Sequence, residues 1–486
     1  MAAITEVSVW EEKAFSGTWA PLAGGTAEVF EPATGERLTT VGKASAEDVR
    51  AAAHSAAAAQ FGWAAAPWET RAAILRKAAR VVDENRTRLV AWIVRETGSV
   101  TAKAAVEVQN ALGILHQAAA MPGEPQGLVL PSNEGKISFA RRTPLGVIGV
   151  ISPFNFPLVL SLRAVAPALA TGNAVVLKPD LQTPVSGGFL IARIFEEAGL
   201  PAGLLHVLPG AAEAGEALCV DPHISMISFT GSTAVGRKVG ALAGQHLKKV
   251  SLELGGKSSL IVLDDADLDA AASNARWGAW LHQGQICMAT GRVLVQENIA
   301  EEFTARLTKA ADTLKVGDPS AGRVGLGPLI SKKQLDRVHG IVEDSIASGA
   351  RLCAGGKFDQ LFYRPTVLDR VKPGMRAFEE EIFGPVAVVT TFATDDEAVA
   401  LANRTEYGLS AGVISKSISR ALSVGNRLRC GMLHINDQTV MDEPVAPFGG
   451  RGNSGNGTRI GGPANWDEFT AWQWVTIQDK PTTYPL

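Results

Sequence analysis

Apolar and polar residues change rhythm along this chain, and the changes divide it into distinct stretches. Over residues 6–44 short apolar groups alternate with turn formers, Glu31-Pro-Ala-Thr-Gly35 being the clearest, which predicts short strands and turns. Ser45-Ala-Glu-Asp48 then opens an Ala-rich stretch in the manner of a capping box, so a helix is expected from there. From Trp68 to Met121 apolar residues recur at helical spacing, Ile74, Ala78, Val81 and Val82 among them, with Gly98 and Pro122 as punctuation. Residues 124–143 turn polar, and Lys136-Ile-Ser-Phe-Ala-Arg-Arg142 alternates as a strand of a protruding hairpin would.

Beyond the hairpin the rhythm becomes strand, helix, strand. Gly146-Val-Ile-Gly-Val-Ile151, Asn173-Ala-Val-Val-Leu177, Leu204-Leu-His-Val-Leu208, Met226-Ile-Ser-Phe229 and Lys249-Val-Ser-Leu252 are short apolar runs, with helical stretches at 185–198, 211–219 and 234–244. Apolar strands alternating with helices predict a parallel sheet covered on both faces. A second series starts near residue 258 with Ser259-Leu-Ile-Val-Leu263 and Arg292-Val-Leu-Val295 and runs to Met432-Leu-His-Ile435. The tail from Trp472 holds a strand-like Trp-Val-Thr-Ile, a candidate interface strand. The fold class expected is therefore α/β. Residues 1–121 and 144–254 would form a Rossmann-like parallel-sheet domain and 255–467 a second α/β domain, with 122–143 and 468–486 as oligomerisation segments.

Length and composition narrow the function. With 486 residues the chain is too long for one small core. A net charge of −3 argues against nucleic acid or an anionic membrane as main partner. No apolar run reaches the roughly 18–20 residues of a membrane span, and no signal peptide is evident. The four cysteines lie far apart, with no Cys-x-x-Cys and no paired histidines, so neither a disulfide framework nor a metal site is suggested. A reduced cytoplasmic protein is the expectation.

One of those cysteines, Cys287, follows a small polar loop from His282 to Gln285 that ends a predicted helix. Thirty-four residues upstream, Leu252-Glu253-Leu-Gly-Gly-Lys257 carries a carboxylate in a strand-like segment that breaks at two glycines. A thiol nucleophile with a glutamate base is one reading of the pair. An inert small hydrophobe is the other, and the commoner fate of a free cysteine. The dinucleotide pattern Gly-x-Gly-x-x-Gly occurs only at Gly450-Arg-Gly-Asn-Ser-Gly455, with no strand before it or helix after it, and reads as a loop. Met226-Ile-Ser-Phe-Thr-Gly-Ser232 is a strand ending in small residues where a helix begins. The backbone N–H groups there suit a pyrophosphate, although a mere strand-to-helix turn would look the same.

Taken together, seven stretches resemble the aldehyde dehydrogenase superfamily, in family order and along essentially the whole chain. They are Ser152-Pro-Phe-Asn155-Phe-Pro157, Gly172-Asn-Ala-Val-Val-Leu-Lys178-Pro, Phe229-Thr-Gly-Ser232, Leu252-Glu253-Leu-Gly-Gly-Lys257, Gly284-Gln-Ile-Cys287, Glu380-Glu381-Ile-Phe383-Gly-Pro385 and Pro447-Phe-Gly-Gly450. The resemblance implies that Cys287 attacks the aldehyde to give a thiohemiacetal, then a thioester after hydride leaves. Asn155 would hold the oxyanion, and Glu253 would activate the water that releases the acid. It also implies a dinucleotide on a Rossmann-like sheet. Pro153 and Phe154 would lie beside it, Lys178 at the adenosine ribose, Gly231 and Ser232 at the pyrophosphate, and Glu381 and Phe383 at the nicotinamide ribose. A homodimer or homotetramer is implied as well.

The chain departs from the family pattern in places. Leu181 stands where NAD-preferring members carry a ribose-binding glutamate, with Asp180 one residue early, so use of both NAD and NADP is expected. Ile460 replaces a further glutamate of hydrolytic relatives, leaving Glu253 as the obvious base. The run from His434 to Gly450, with Leu177-Lys-Pro-Asp180 and Gln285-Ile-Cys-Met-Ala-Thr290, is similar to the benzaldehyde and vanillin dehydrogenase branch. An aryl pocket is therefore expected from Phe156, Leu160, Trp280 and Phe448, with Trp277 weighed equally as core packing. Arg163 replaces an aromatic residue of many relatives, which suggests polar ring substituents such as hydroxyl. Four rival readings are weighed: an aliphatic or semialdehyde dehydrogenase, a cofactor-independent thiol esterase, a non-catalytic structural protein that kept the fold, which the joint presence of Asn155, Glu253 and Cys287 disfavours, and a CoA-acylating relative, which the presence of Glu253 disfavours.

Overall fold

In the computed structural model residues 3–485 are described. Five short runs of β-branched and aliphatic residues form the parallel part of one sheet: β1 (Val147–Ile151), β2 (Ala174–Lys178), β3 (Leu205–Val207), β4 (Ile224–Thr230) and β5 (Lys249–Glu253). Their spatial order is β5-β4-β1-β2-β3. Two short strands near the N-terminus, Ala14–Ser16 and Trp19–Ala20, extend the β3 edge in antiparallel fashion. Sequence periodicity had resolved these only as strands and turns. Strand order reverses between β1 and β4, because β2 and β3 are added on one side of β1 while β4 and β5 are added on the other. Loops leaving the carboxyl ends of β1 and β4 therefore diverge and open a crevice, the usual ligand position in such sheets.

Helix α1 (Thr101–Ala120) packs on α2 (Pro157–Ala170). Nearly every residue of α2 is buried, which accounts for its apolar composition around the whole circumference. Helix α3 (Thr233–Gln245) starts just after β4 with Ser232 as its N-cap, the Ser232 hydroxyl accepting from the Val235 N–H at 3.4 Å.

Only four residues separate β5 from β6 (Ser258–Val262), the first strand of a second sheet. That sheet also contains β7 (Thr290–Gln296) and β8 (Val386–Phe392), in the order Arg351–Ala354, Thr366–Asp369, β8, β7, β6, Ser410–Ile414, Met432–Ile435. It is parallel except for its first strand. Helix α4 (Leu268–Trp280) lies against it, burying Ala271, Ala272, Ala275, Gly278 and Ala279.

The hairpin and the tail join. Strand Lys136–Pro144 pairs with Gly127–Val129 on one edge and with Thr470–Gln478 on the other, in register from Thr470 opposite Pro144 to Gln478 opposite Lys136. Side chains on this sheet that find no cover in the protomer include Val129, Trp474 and Ile477. Among the described residues no helix is long and apolar enough to cross a membrane, and no cluster of His, Cys, Asp and Glu could hold a metal ion.

Candidate active site

The carboxyl ends of the first sheet and the amino ends of the second meet at one cleft. Glu253 closes β5, Gly231 and Ser232 follow β4, Pro153 to Phe156 follow β1, and Lys178 ends β2. From the other side, Cys287 lies three residues before β7, and Glu381 and Phe383 lie just before β8. The Leu-Gly-Gly-Lys crossing has steric causes. A Cβ on Gly256 would lie 2.3 Å from the Cys287 carbonyl oxygen, and one on Gly255 would lie 2.6 Å from a Glu381 carboxylate oxygen. The two glycines let the crossing strand pass against both loops.

Cys287, Glu253, Leu160, Arg163, Phe448 and Ile460 line one cavity. The thiol is half-buried, and burial, followed by the charges of Glu381 and Glu253, pushes it up to about 12. Glu253 is 4% exposed, and neither carboxylate oxygen has a hydrogen-bond partner. Burial raises it well above the usual carboxylate range, against the pull of the Arg163 and Arg459 cations. An unpartnered acid beside a half-buried thiol is costly packing, and a stability argument does not account for it.

Asn155 is buried, and its side-chain N–H donates to the Gln285 carbonyl at 2.9 Å, two residues before the thiol. This bond fixes the amide next to the Cys287 loop with one further N–H left over. On its other flank, Lys103 of α1 donates to the Asn155 carbonyl at 2.8 Å and sits 4.0 Å from the centre of the Phe156 ring. Glu107, paired with Lys103 one helical turn on, accepts from the Leu158 N–H at 2.9 Å and the Val159 N–H at 3.4 Å. Since Phe156 at the N-cap of α2 offers no capping side chain, a carboxylate from another helix serves instead. Lys103 and Glu107 were not singled out in the sequence. Their signal was two charges, four residues apart, beside the buried stripe Ala104, Val108, Ala111 and Leu115.

Phe156 packs with Phe448 and Cys287 in one apolar cluster, and its ring meets the His282 imidazole edge-on at 5.6 Å. Trp280 does not join them. It is 3% exposed and belongs to the core of the second sheet, while Trp277, one turn earlier on α4, is 49% exposed. The expectation that Trp280 lines the pocket is corrected. His282 and Gln283 take left-handed backbone angles (φ 50° and 55°), so the chain turns back after α4 and the helix's side-chain directions do not carry through to Cys287.

Around the crevice at the strand reversal, the residues fit a dinucleotide. Gly231 and the exposed Ser232 open the thirteen-residue helix α3 with its N–H groups free beyond the cap. A Cβ on Gly231 would lie 2.6 Å from the Phe229 ring, so only glycine passes there. Lys178 is turned onto the Gly210 carbonyl at 2.8 Å, with its ammonium depressed by burial and supported by Asp180. Asp180 accepts from the Gln182 N–H at 2.8 Å, and Leu181 stands half-buried between them. Glu381 accepts from the Gly256 N–H at 2.9 Å and is raised to about 7, burial being the main cause. Phe383, at φ 58°, meets the Phe154 ring at 6.0 Å and 80°. Pro153 and Phe154 are half-buried at the exit of β1.

Known proteins carry the same arrangement of sequence and fold. The family model of the aldehyde dehydrogenase family matches residues 19–475. A vanillin dehydrogenase of Amycolatopsis sp. is 52% identical over 98% of this chain and 98% of its own. An NAD(+) benzaldehyde dehydrogenase of Pseudomonas putida is 50% identical over 99% of each. The solved structure of betaine aldehyde dehydrogenase from Staphylococcus aureus in complex with NAD+ matches with a TM-score of 0.95 at 30% identity, covering 99% of this chain and 98% of that one. With its two sheets, its cleft and these relatives in agreement, the chain belongs to the aldehyde dehydrogenase family.

Proposed function

We propose that the protein oxidises an aromatic aldehyde to its carboxylic acid, with NAD or NADP as hydride acceptor. The observation that carries this reading is the shared cavity of Cys287, Glu253, Leu160 and Phe448, with Asn155 tied to the Cys287 loop through Gln285. The Cys287 thiolate, its proton already lost, attacks the carbonyl carbon, and the remaining Asn155 N–H and the Cys287 backbone N–H donate to the oxyanion of the thiohemiacetal. Held by the residues around Gly231, Ser232, Glu381 and Phe383, a nicotinamide cofactor would supply the hydride acceptor. Glu253 then removes a proton from water, which attacks the thioester and frees Cys287. Ile460, buried in the same cavity, offers no second base.

Apolar walls from Phe448, Leu160 and the neighbouring Phe156 favour an aryl ring, each ring pair adding roughly 0.5–1.5 kcal/mol. The names of the vanillin and benzaldehyde relatives agree. Leu181 neither binds a ribose hydroxyl nor repels a 2′-phosphate, so the enzyme accepts both NAD and NADP. A preference for NAD above about a thousandfold, or about 4 kcal/mol, contradicts this. The residues assigned to the dinucleotide are Pro153, Phe154, Lys178, Gly231, Ser232, Glu381 and Phe383. Two sheet-containing units, 1–121 with 144–254 and 255–467, carry the site. The sheet of Gly127–Val129, Lys136–Pro144 and Thr470–Gln478, which holds the strands of the two proposed oligomerisation segments, 122–143 and 468–486, suits pairing of protomers into a homodimer or homotetramer, since it presents Trp474 and Ile477 uncovered. A reducing cytoplasm suits a reaction whose nucleophile must stay a thiol.

A rate matrix of benzaldehyde, vanillin, hexanal and succinate semialdehyde against NAD and NADP tests the reading. Aryl substrates should lead with either cofactor. A clear lead for succinate semialdehyde or hexanal assigns the aliphatic alternative, and acid formation without any cofactor assigns a thiol esterase.

A further inference from the structure

Arg163 is an anomaly in the cavity. It projects from the buried helix α2, is 7% exposed, and lines the same wall as Cys287 and Phe448. Its guanidinium carbon stands 4.4 Å from the centre of the Phe448 ring, and one of its terminal nitrogens pairs with Asp442. The other terminal nitrogen has no partner, and neither has the second oxygen of the Asp442 carboxylate. Buried polar atoms are rarely left so, and a charged pair in this position is retained at a cost in stability. The pair therefore holds one free donor and one free acceptor on neighbouring charged groups, with Arg163 in the wall of the cavity and Asp442 paired behind it.

Resting on the aryl reading above, we propose that Arg163 and Asp442 form a subsite for a hydroxyl group on the ring of the substrate. Arg163 donates to the phenolic oxygen, and the phenolic O–H donates to the free oxygen of Asp442. A hydroxyl is the small substituent that satisfies both atoms, because it accepts and donates at once. A methoxy oxygen accepts only and leaves Asp442 unsatisfied. A carboxylate pairs with Arg163 but meets repulsion from Asp442, so an acidic semialdehyde is a poor fit. Phe448 holds the guanidinium by its face and keeps the donor in place.

The test compares kcat/KM for benzaldehyde with the three hydroxybenzaldehydes and the three methoxybenzaldehydes, in the wild type, Asp442→Asn, Asp442→Leu and Arg163→Met. Saturating cofactor is used throughout, and thermal melts and cofactor titration verify the fold of each variant. At least one hydroxy isomer should exceed benzaldehyde and its methoxy counterpart on the order of 10-fold in the wild type. That ratio should fall toward unity in Asp442→Leu and Arg163→Met. It should be partly kept in Asp442→Asn, which retains an acceptor and the shape of the side chain. A wild-type ratio near one for every isomer, or a ratio that the variants leave unchanged, overturns the subsite while the aryl reading stands. Hexanal, assayed beside them with the wild type, overturns both if it outruns every aryl substrate.

Discussion

Lys103 reaches 2.8 Å to the backbone carbonyl of Asn155 from a position where its side chain is 1% exposed. Asn155, the proposed oxyanion donor, is thus held from both sides, by a buried ammonium on its carbonyl and by the Gln285 carbonyl on its amide. Glu107 completes the clamp by capping α2 directly after the turn. Rigid placement matters because a donor helps the transition state only where the negative charge develops.

Replacing Lys103 with Met strands the buried Glu107 carboxylate, and stability should fall by about 3–5 kcal/mol in a denaturant titration. Adding Glu107→Gln should recover part of that loss. The single-turnover rate of hydride transfer should stay depressed in both variants, because neither restores the hold on Asn155. Full recovery of the rate in the double variant contradicts a positioning role.

Removing the donor itself is the sharper test of the oxyanion site. Asn155→Ala should lower kcat by about 10²–10³, corresponding to about 2.7–4 kcal/mol, with cofactor affinity unchanged in a fluorescence titration. A loss below tenfold means that another group carries the charge.

The acidity of Glu253 has a sign that can be checked. A general base works only when ionised, and burial holds this carboxylate in its protonated form to a higher pH than usual. Turnover limited by thioester hydrolysis should therefore rise with pH along a limb displaced upward from the ordinary carboxylate range, and the limb should vanish in Glu253→Gln. A pH profile that is already flat just above the ordinary range rejects this assignment.

Cys287 behaves in the same sense for a different reason. Its thiol is pushed up to about 12 by burial and by the carboxylates of Glu381, Glu253 and Asp442, so thiolate is scarce in the unliganded protein near neutral pH. Alkylation by iodoacetamide, followed on the Cys287 peptide by mass spectrometry, should be slow and should rise about tenfold per pH unit. The oxidised cofactor, which brings a cationic ring toward the cleft, should accelerate it at fixed pH. Fast alkylation independent of pH contradicts that environment.

How far the sequence foretold this molecule depends on the reach of each signal. Short apolar runs such as Gly146-Val-Ile-Gly-Val-Ile151 marked β1, because strand periodicity is local. The resemblance motifs pointed to Asn155, Glu253 and Cys287, which the fold sets around one cleft. Pairing between Lys136–Pro144 and Thr470–Gln478 was out of reach, since more than three hundred residues separate two strands that carry no mutual label. Trp280 was misjudged because nearness in sequence to Cys287 hides the left-handed reversal at His282 and Gln283. Arg163 stood out in the sequence as an oddity, but Asp442, its partner from a distant loop, did not. Lys103 and Glu107 passed as ordinary helix charges, since burial of a charge is a tertiary fact.

In the proposed reaction the acyl group is carried on Cys287 and released by water that Glu253 activates. Mixing Glu253→Gln with benzaldehyde and NAD, then quenching for mass spectrometry, tests it most directly. One equivalent of reduced nicotinamide should form in a burst, steady-state turnover should be lost, and the Cys287 peptide should carry a benzoyl thioester. Unimpaired steady-state turnover, or a burst with no acyl group on Cys287, would contradict the account.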